Sequence, residues 1–353
     1  MMYLAQAGRW LLRWPPFRRR VVSALAVLAI ATGSVSTTRP AWAPTAVEYA
    51  IALSVVIVVA LAAVAIPGPQ VPPMSCPVFR GSGTGLGEDD CVWAKASGQR
   101  TTQSGTTDNT AVFRIGGQKE VTPDWFVGGA FGAGSRWTQD GGGTAGTGQV
   151  FDGSIVLKHV FGPWLFAGAV AFSSTAIHLT PLGGGLTGDA NIYGGGMRLR
   201  GAYNFDFSGW YLRPRLDLDV VHTWRPGFLL SGPGLPGGIS VDGFSKTSFV
   251  ATPMVELGGR YDIDEKRVLR PYLAVGASFL PDNNSTMLAS FTGPLAALGS
   301  FQSTNGGPSV LGNVEAGLQL YKVRGFEVKA EYTLSFGDNF LSQGAGLRGA
   351  YHF

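Results

Sequence analysis

Phe326-Glu-Val-Lys-Ala-Glu-Tyr-Thr-Leu-Ser-Phe336 alternates without a break. Phe326, Val328, Ala330, Tyr332, Leu334 and Phe336 are apolar, and Glu327, Lys329, Glu331, Thr333 and Ser335 stand between them. Successive side chains of a strand point to opposite sides, so this strand has one apolar and one polar face. The chain end repeats the pattern, with Phe353, Tyr351, Gly349, Leu347 and Ala345 on one face and His352, Ala350, Arg348, Gly346 and Gly344 on the other. A soluble sandwich would alternate in the same way, so the decision lies in the strands upstream.

Twelve segments alternate with period two, at about 91–100, 110–119, 125–135, 148–159, 164–173, 190–205, 210–222, 248–261, 268–280, 308–321, 326–336 and 343–353. Their connections are sorted by length. Those at 119–124, 160–163, 206–209, 262–267 and 322–325 are tight, whereas 136–147, 174–189, 223–247 and 281–307 are long and rich in Gly, Ser, Thr and Pro. Short turns at one end, long loops at the other and an even strand number describe an outer-membrane barrel. The expected fold is therefore all-β: a single transmembrane antiparallel β-barrel of about twelve strands, preceded by an apolar targeting segment.

Aromatic positions agree with this reading. Trp125, Trp164, Trp210 and Phe326 open strands just after tight turns, and Phe205, Tyr261 and Phe353 close them. All fall at one end, as an interfacial girdle would. With the apolar set facing lipid, the lumen receives Arg114, Arg198, Arg200, Arg213, Arg215, Asp217, Asp219, Glu256, Arg260, Arg270, Glu315, Glu327, Lys329, Glu331 and Arg348. A one-residue slip of strand 326–336 would place Lys329 in hydrocarbon at a cost of roughly 2–4 kcal/mol. These charges read as lumen ion pairs rather than catalytic pairs.

Composition supports a β protein. The 353 residues include 52 Gly and 11% aromatics but only 14% charged residues, which disfavours a helical enzyme. The net charge of +4, with no basic run in the last three quarters, gives no support to nucleic-acid binding.

The N-terminus reads as an export address: Arg9, Arg13 and Arg18 to Arg20, an apolar run from Val21, then Ala41-Trp-Ala43. A second uncharged run, Tyr49–Ile66, is long enough to span a membrane and ends in Ala63-Val-Ala65. Cleavage after Ala43 or Ala65, or retention of this run, are the alternatives, with Ala65 preferred. A short pilin-like reading of Thr45–Tyr49 is the rival. The domains are then residues 1–65 (targeting), 66–90 (a Pro/Gly-rich linker) and 91–353 (barrel). In an exported chain Cys76 and Cys91 are expected to form a disulfide, two free thiols being the alternative.

Enzyme chemistry is not expected. His159, His178, His222 and His352 form no metal pattern, and Gly183–Gly188 matches G-x-G-x-x-G without strand–turn–helix context. No cofactor is expected, and the outer-membrane lipid is the expected partner.

The chain resembles the translocator β-domain of autotransporters, the type V secretion family of Gram-negative bacteria. The resemblance rests on Val92-Trp-Ala-Lys-Ala96, Ile115-Gly-Gly-Gln-Lys119, Asp124-Trp-Phe-Val-Gly-Gly-Ala-Phe-Gly132, Leu212-Arg-Pro-Arg-Leu216, Leu269-Arg-Pro-Tyr-Leu-Ala-Val-Gly276, Ala330-Glu-Tyr332 and Gly346–Phe353. It implies a twelve-stranded barrel and export of an N-terminal passenger. It also implies insertion by the barrel assembly machinery reading the last strand, with Phe353, Tyr351, Gly349 and Leu347 as the signal. The family threads a helix through the pore before the first strand, but 67–90 is too rich in Pro and Gly to make one. That stretch, a vestigial passenger, has no Asn for self-cleavage. A surface adhesin acting through 223–247 and 281–307 on an extracellular ligand, and a small passive pore, are the alternatives.

Overall fold

The computed structural model describes residues 75–140, 144–180, 185–233, 235–281, 284–322 and 325–353. The apolar runs, both cleavage sites and residues 66–74 of the linker lie outside the described residues.

Twelve antiparallel strands follow in order: β1 Cys91–Gln103, β2 Thr106–Thr122, β3 Trp125–Asp140, β4 Ala145–Phe161, β5 Trp164–Thr180, β6 Gly188–Tyr203, β7 Trp210–Arg225, β8 Phe244–Gly259, β9 Arg267–Phe279, β10 Val310–Lys322, β11 Phe326–Gly337 and β12 Phe340–His352. Each pairs with the next. β12 returns to β1, from Phe340↔Gln103 to His352↔Cys91, and closes the sheet into a barrel. Closure removes the unpaired edges that lipid would not tolerate.

Every expected segment is a strand, but several are longer than their alternation suggested. Much of 136–147 and 174–189, read as loop, continues the ladder, with Trp137↔Thr147 and Ile177↔Ala190 paired. Gly and Thr provide little apolar–polar contrast, so the period was hidden there. Ser104-Gly105 joins β1 to β2 with positive φ at both positions (48° and 89°), as a type I′ hairpin turn requires. The end opposite the termini therefore has short turns as well as long connections.

Residues 223–247 and 281–307 are not open loops. Phe228–Gly232, Leu235–Val241, Asn284–Phe291 and Ser300–Gly306 form one four-stranded sheet in that order. Leu230, Ile239, Val241, Met287, Ala289 and Phe291 from this sheet pack with Ile177, Leu179, Ala190 and Ile192. The last four sit on the lumen-facing parity of β5 and β6, so the sheet leans inward as a lid.

The outer wall is apolar. Phe131, Ile155, Val170, Leu199, Leu218 and Leu273 are all exposed. Rings meet around the rim where β1 begins and β12 ends: Trp125 stacks on His159, Trp164 on Phe166 and Phe207 on Trp210, while Trp164–Tyr203 and Phe326–Tyr351 meet edge to face. Phe205 and Tyr261 are exposed at the same rim. A second level carries Trp137 and the stacked pair Tyr193–Trp224. Trp125 and Trp137 lie twelve positions apart on β3. At about 3.3 Å per residue and a tilt near 40°, the two belts stand about 30 Å apart, the thickness of a hydrocarbon core. Apart from Lys119 beside the lower rim, outward positions between these levels carry no charge.

Candidate functional site: a hairpin plug and a charged chamber

Residues 75–90, expected as irregular linker, fold for a physical reason: their backbone groups and few charges find partners inside the barrel. Pro77–Phe79 and Leu86–Glu88 pair as a small hairpin. Cys76 is bonded to Cys91 at the first position of β1. Phe79 inserts between Tyr211 and Tyr321, with ring centroids 6.0 and 6.3 Å away. Its backbone N–H donates to Tyr321 Oη at 2.9 Å, and Gln319 Nε2 donates to Pro77 O at 3.0 Å.

The hairpin touches the barrel on every side. Arg348 Nη1 donates to Ser75 O, Asn204 Nδ2 to Thr84 O, and Thr84 Oγ1 to the carbonyls of Phe207 and Trp210. Arg80 meets Asp124 at 2.9 Å. Arg260 follows directly on β8 and turns toward the hairpin, its guanidinium 5.5 Å from the centre of the Phe79 ring. There it pairs with Asp262 and donates to the carbonyls of Gly81 and Gly83.

Glu88 is the hairpin's deepest anchor. Its carboxylate accepts from Lys158 Nζ at 2.8 Å, Gln118 Nε2 at 2.9 Å, Ser75 Oγ at 2.5 Å and the backbone N–H of Cys76 at 3.0 Å. Burial pushes its pKa up, but Lys158 and these donors outweigh burial and hold it at about 2. An unpaired carboxylate could not persist there.

Beyond the hairpin lies a chamber of about 470 Å³ in the lumen. Its basic lining is Lys95, Arg114, Arg136, Arg198, Arg200, Arg213, Arg215, Arg270, Lys329 and Arg348; its acidic lining is Asp108, Asp152, Asp217, Glu256, Glu315 and Glu331. The pairs follow strand register. Asp217 lies opposite Arg200 and Asp219 opposite Arg198, and both contacts are bidentate, at 2.6 to 3.0 Å. Arg114 clasps Asp152 with two nitrogens. Arg270 donates to Tyr211 Oη at 2.7 Å, Gln319 Oε1 at 2.8 Å and Glu256 Oε1 at 2.6 Å. Arg215 reaches Glu315 at 2.5 Å, and Glu331 serves both Lys95 and Lys329. Glu327 holds Arg348 at 2.7 Å and His352 at 2.8 Å.

The charged residues expected on the inner face gather there, Arg260 at the hairpin and the others around the chamber. Lys95, Asp108, Arg136, Asp152 and Lys158 join them although sequence reading passed them over. For Lys95, Arg136, Asp152 and Lys158 the signal is the same parity beside outward apolar neighbours such as Ala96, Trp137, Phe151 and Leu157, whereas Asp108 stands between Thr107 and Asn109 and has no such contrast. Glu88 had no such signal, because it lay in a stretch with no period. The exposed faces of Leu347, Tyr351 and Phe353 point outward on β12, and Gly349 shares their parity. His178 and Asp189 pair at 2.7 Å on the outer surface. Among the described residues, no cluster of three or more His, Cys, Asp or Glu could hold a metal.

The family model described as the Autotransporter beta-domain matches residues 92–333. Three solved structures share the fold. The translocator domain of autotransporter NalP from Neisseria meningitidis aligns at TM-score 0.58 and 14% identity, covering 76% of this chain and 89% of that one. The beta domain of the Bordetella autotransporter BrkA aligns at 0.53 and 16%, covering 75% and 100%. The transport unit of AIDA-I from Escherichia coli aligns at 0.55 and 12%, covering 86% and 98%. No curated protein matches the chain significantly. A closed twelve-stranded barrel, an apolar belt and a family match over more than half of its length converge: this chain belongs to the autotransporter β-domain family of outer-membrane barrels in type V secretion.

Proposed function

We propose that this barrel anchors its N-terminal segment at the outer membrane and carries that segment outward, and that the structure corresponds to a plugged resting state. The observation behind the proposal is the 75–90 hairpin. It occupies the bore directly before β1, is tied to β1 by the Cys76–Cys91 disulfide, and contacts the barrel around its circumference. A pore intended for free diffusion would have no use for such a seal.

The test is an epitope inserted between residues 66 and 75, followed by protease shaving of whole cells. Loss of the epitope with an intact barrel is expected; an epitope that survives in intact cells but not in lysed ones would overturn export. Planar-bilayer recording separates plug from pore. The native barrel should remain closed, and a variant lacking 75–89 with Cys91→Ser should conduct. Steady conductance by the native barrel would instead support a passive pore.

One observation favours a second reading, surface interaction. The two longest connections form a single sheet with its own apolar core rather than separate loops. Replacing 284–306 by a short linker should abolish any whole-cell adhesion while leaving the barrel folded. Unchanged adhesion would remove this reading.

A further inference from the structure

The charge pairs of the chamber do not close. Arg114, Arg136, Arg198, Arg200, Arg215, Arg270 and Arg348 each have a carboxylate of their own: Asp152, Asp108, Asp219, Asp217, Glu315, Glu256 and Glu327. Lys95 and Lys329 share one, Glu331. Among the described residues Arg213, which lines the chamber, makes no hydrogen bond or ion pair within 4 Å, and Glu256, the carboxylate it feels most, is held by Arg270. Among the described residues of this network, ten basic groups therefore face eight acidic ones, and two positive charges remain. Donors are left over as well. Arg136 Nη2 and Arg215 Nε are buried without an acceptor, and both residues line the same chamber. Buried guanidinium N–H groups without acceptors are costly.

We propose that this chamber is a binding site for a doubly charged oxyanion of the phosphate class, with Arg213 as its principal ligand. Charge and geometry select the class. Two negative charges balance the residual two, and an oxyanion presents several acceptors to planar guanidinium forks, which a halide cannot do. The chamber volume of about 470 Å³ admits a phosphate with its water, or a small phosphate monoester. The site is independent of whether anything is exported.

The full-length barrel in detergent micelles, refolded in chloride or in inorganic phosphate at matched ionic strength, provides the test. Phosphate is expected to raise the unfolding midpoint saturably, and about one phosphate per barrel should survive desalting, read by ³¹P NMR. Arg213→Gln should weaken phosphate binding at least about tenfold, the value of one charge-assisted hydrogen bond. Its unfolding midpoint in chloride should not fall, because an uncompensated charge has been removed. Arg213→Lys, which keeps the charge but not the fork, should fall between the two. An equal shift in chloride, reflecting counter-ion screening only, would overturn the proposal. So would phosphate retained unchanged in Arg213→Gln, or no retained phosphate in the native barrel, a readout that does not depend on either variant folding.

Discussion

At the scale of the residue, Glu88 shows how one side chain can hold a segment of low intrinsic order. Its pKa of about 2 lies below the ordinary 4.5, so its contribution to hairpin docking is complete above pH 4.5. It declines as pH falls from 4.5 to 2 and is gone below that, on the order of 3 kcal/mol in all. Amide protection factors across 75–90, with the intrinsic pH dependence of exchange divided out, should therefore be high at pH 5 and fall toward pH 2, while those of β1–β12 stay high. Equal protection at both pH values would show that Glu88 does not anchor the hairpin. Glu88→Gln should loosen the hairpin even at pH 7, because it leaves Lys158 without its counter-charge in the lumen. Neither residue could be read as a pair in advance. Seventy positions separate them, and only the closed barrel brings Lys158 beneath the hairpin.

At the scale of the element, each strand depends on its two faces remaining distinct. Leu218 is exposed on the lipid side of β7, and Asp219, one position on, is buried against Arg198. Leu218→Arg should cost roughly 2–4 kcal/mol in lipid, measured by reversible unfolding in vesicles, with Leu218→Ala costing far less. A loss below 1 kcal/mol for the arginine would mean that this face does not meet hydrocarbon. Inside, cross-strand packing uses absent side chains. A Cβ on Gly317 would come within 2.3 Å of the Tyr272 ring, whose hydroxyl donates to Glu331 at 2.8 Å. Gly317→Val is expected to displace the ring, break that bond and destabilise the barrel by about 1–3 kcal/mol, read as a lower midpoint in urea. Alternation revealed which side of each strand faced in, because parity is a local property. It did not reveal that Gly317 lies beneath Tyr272, because that requires the β9–β10 register.

For the whole molecule, β12 closes the sheet on β1, and Phe353 just beyond it is exposed. Deleting Phe353 should sharply reduce assembled barrel in the outer membrane, seen as loss of the heat-modifiable band, while refolding in detergent stays near normal. Normal assembly in cells would remove Phe353 from any recognition role. Strand number, face polarity, the rim aromatics and most lumen charges were legible in the chain itself, since each follows from period two and the intolerance of hydrocarbon for charge. The plug and lid were not. Residues 75–90 have no period, and the lid places Ile177, Leu179, Ala190 and Ile192 on the side where parity alone would expect polar groups. A membrane cylinder with an ionised bore is written in the chain alone, because alternation and hydrophobic exclusion act residue by residue. The hairpin in that bore and the partners of its charges follow instead from which distant segments meet once the sheet has closed.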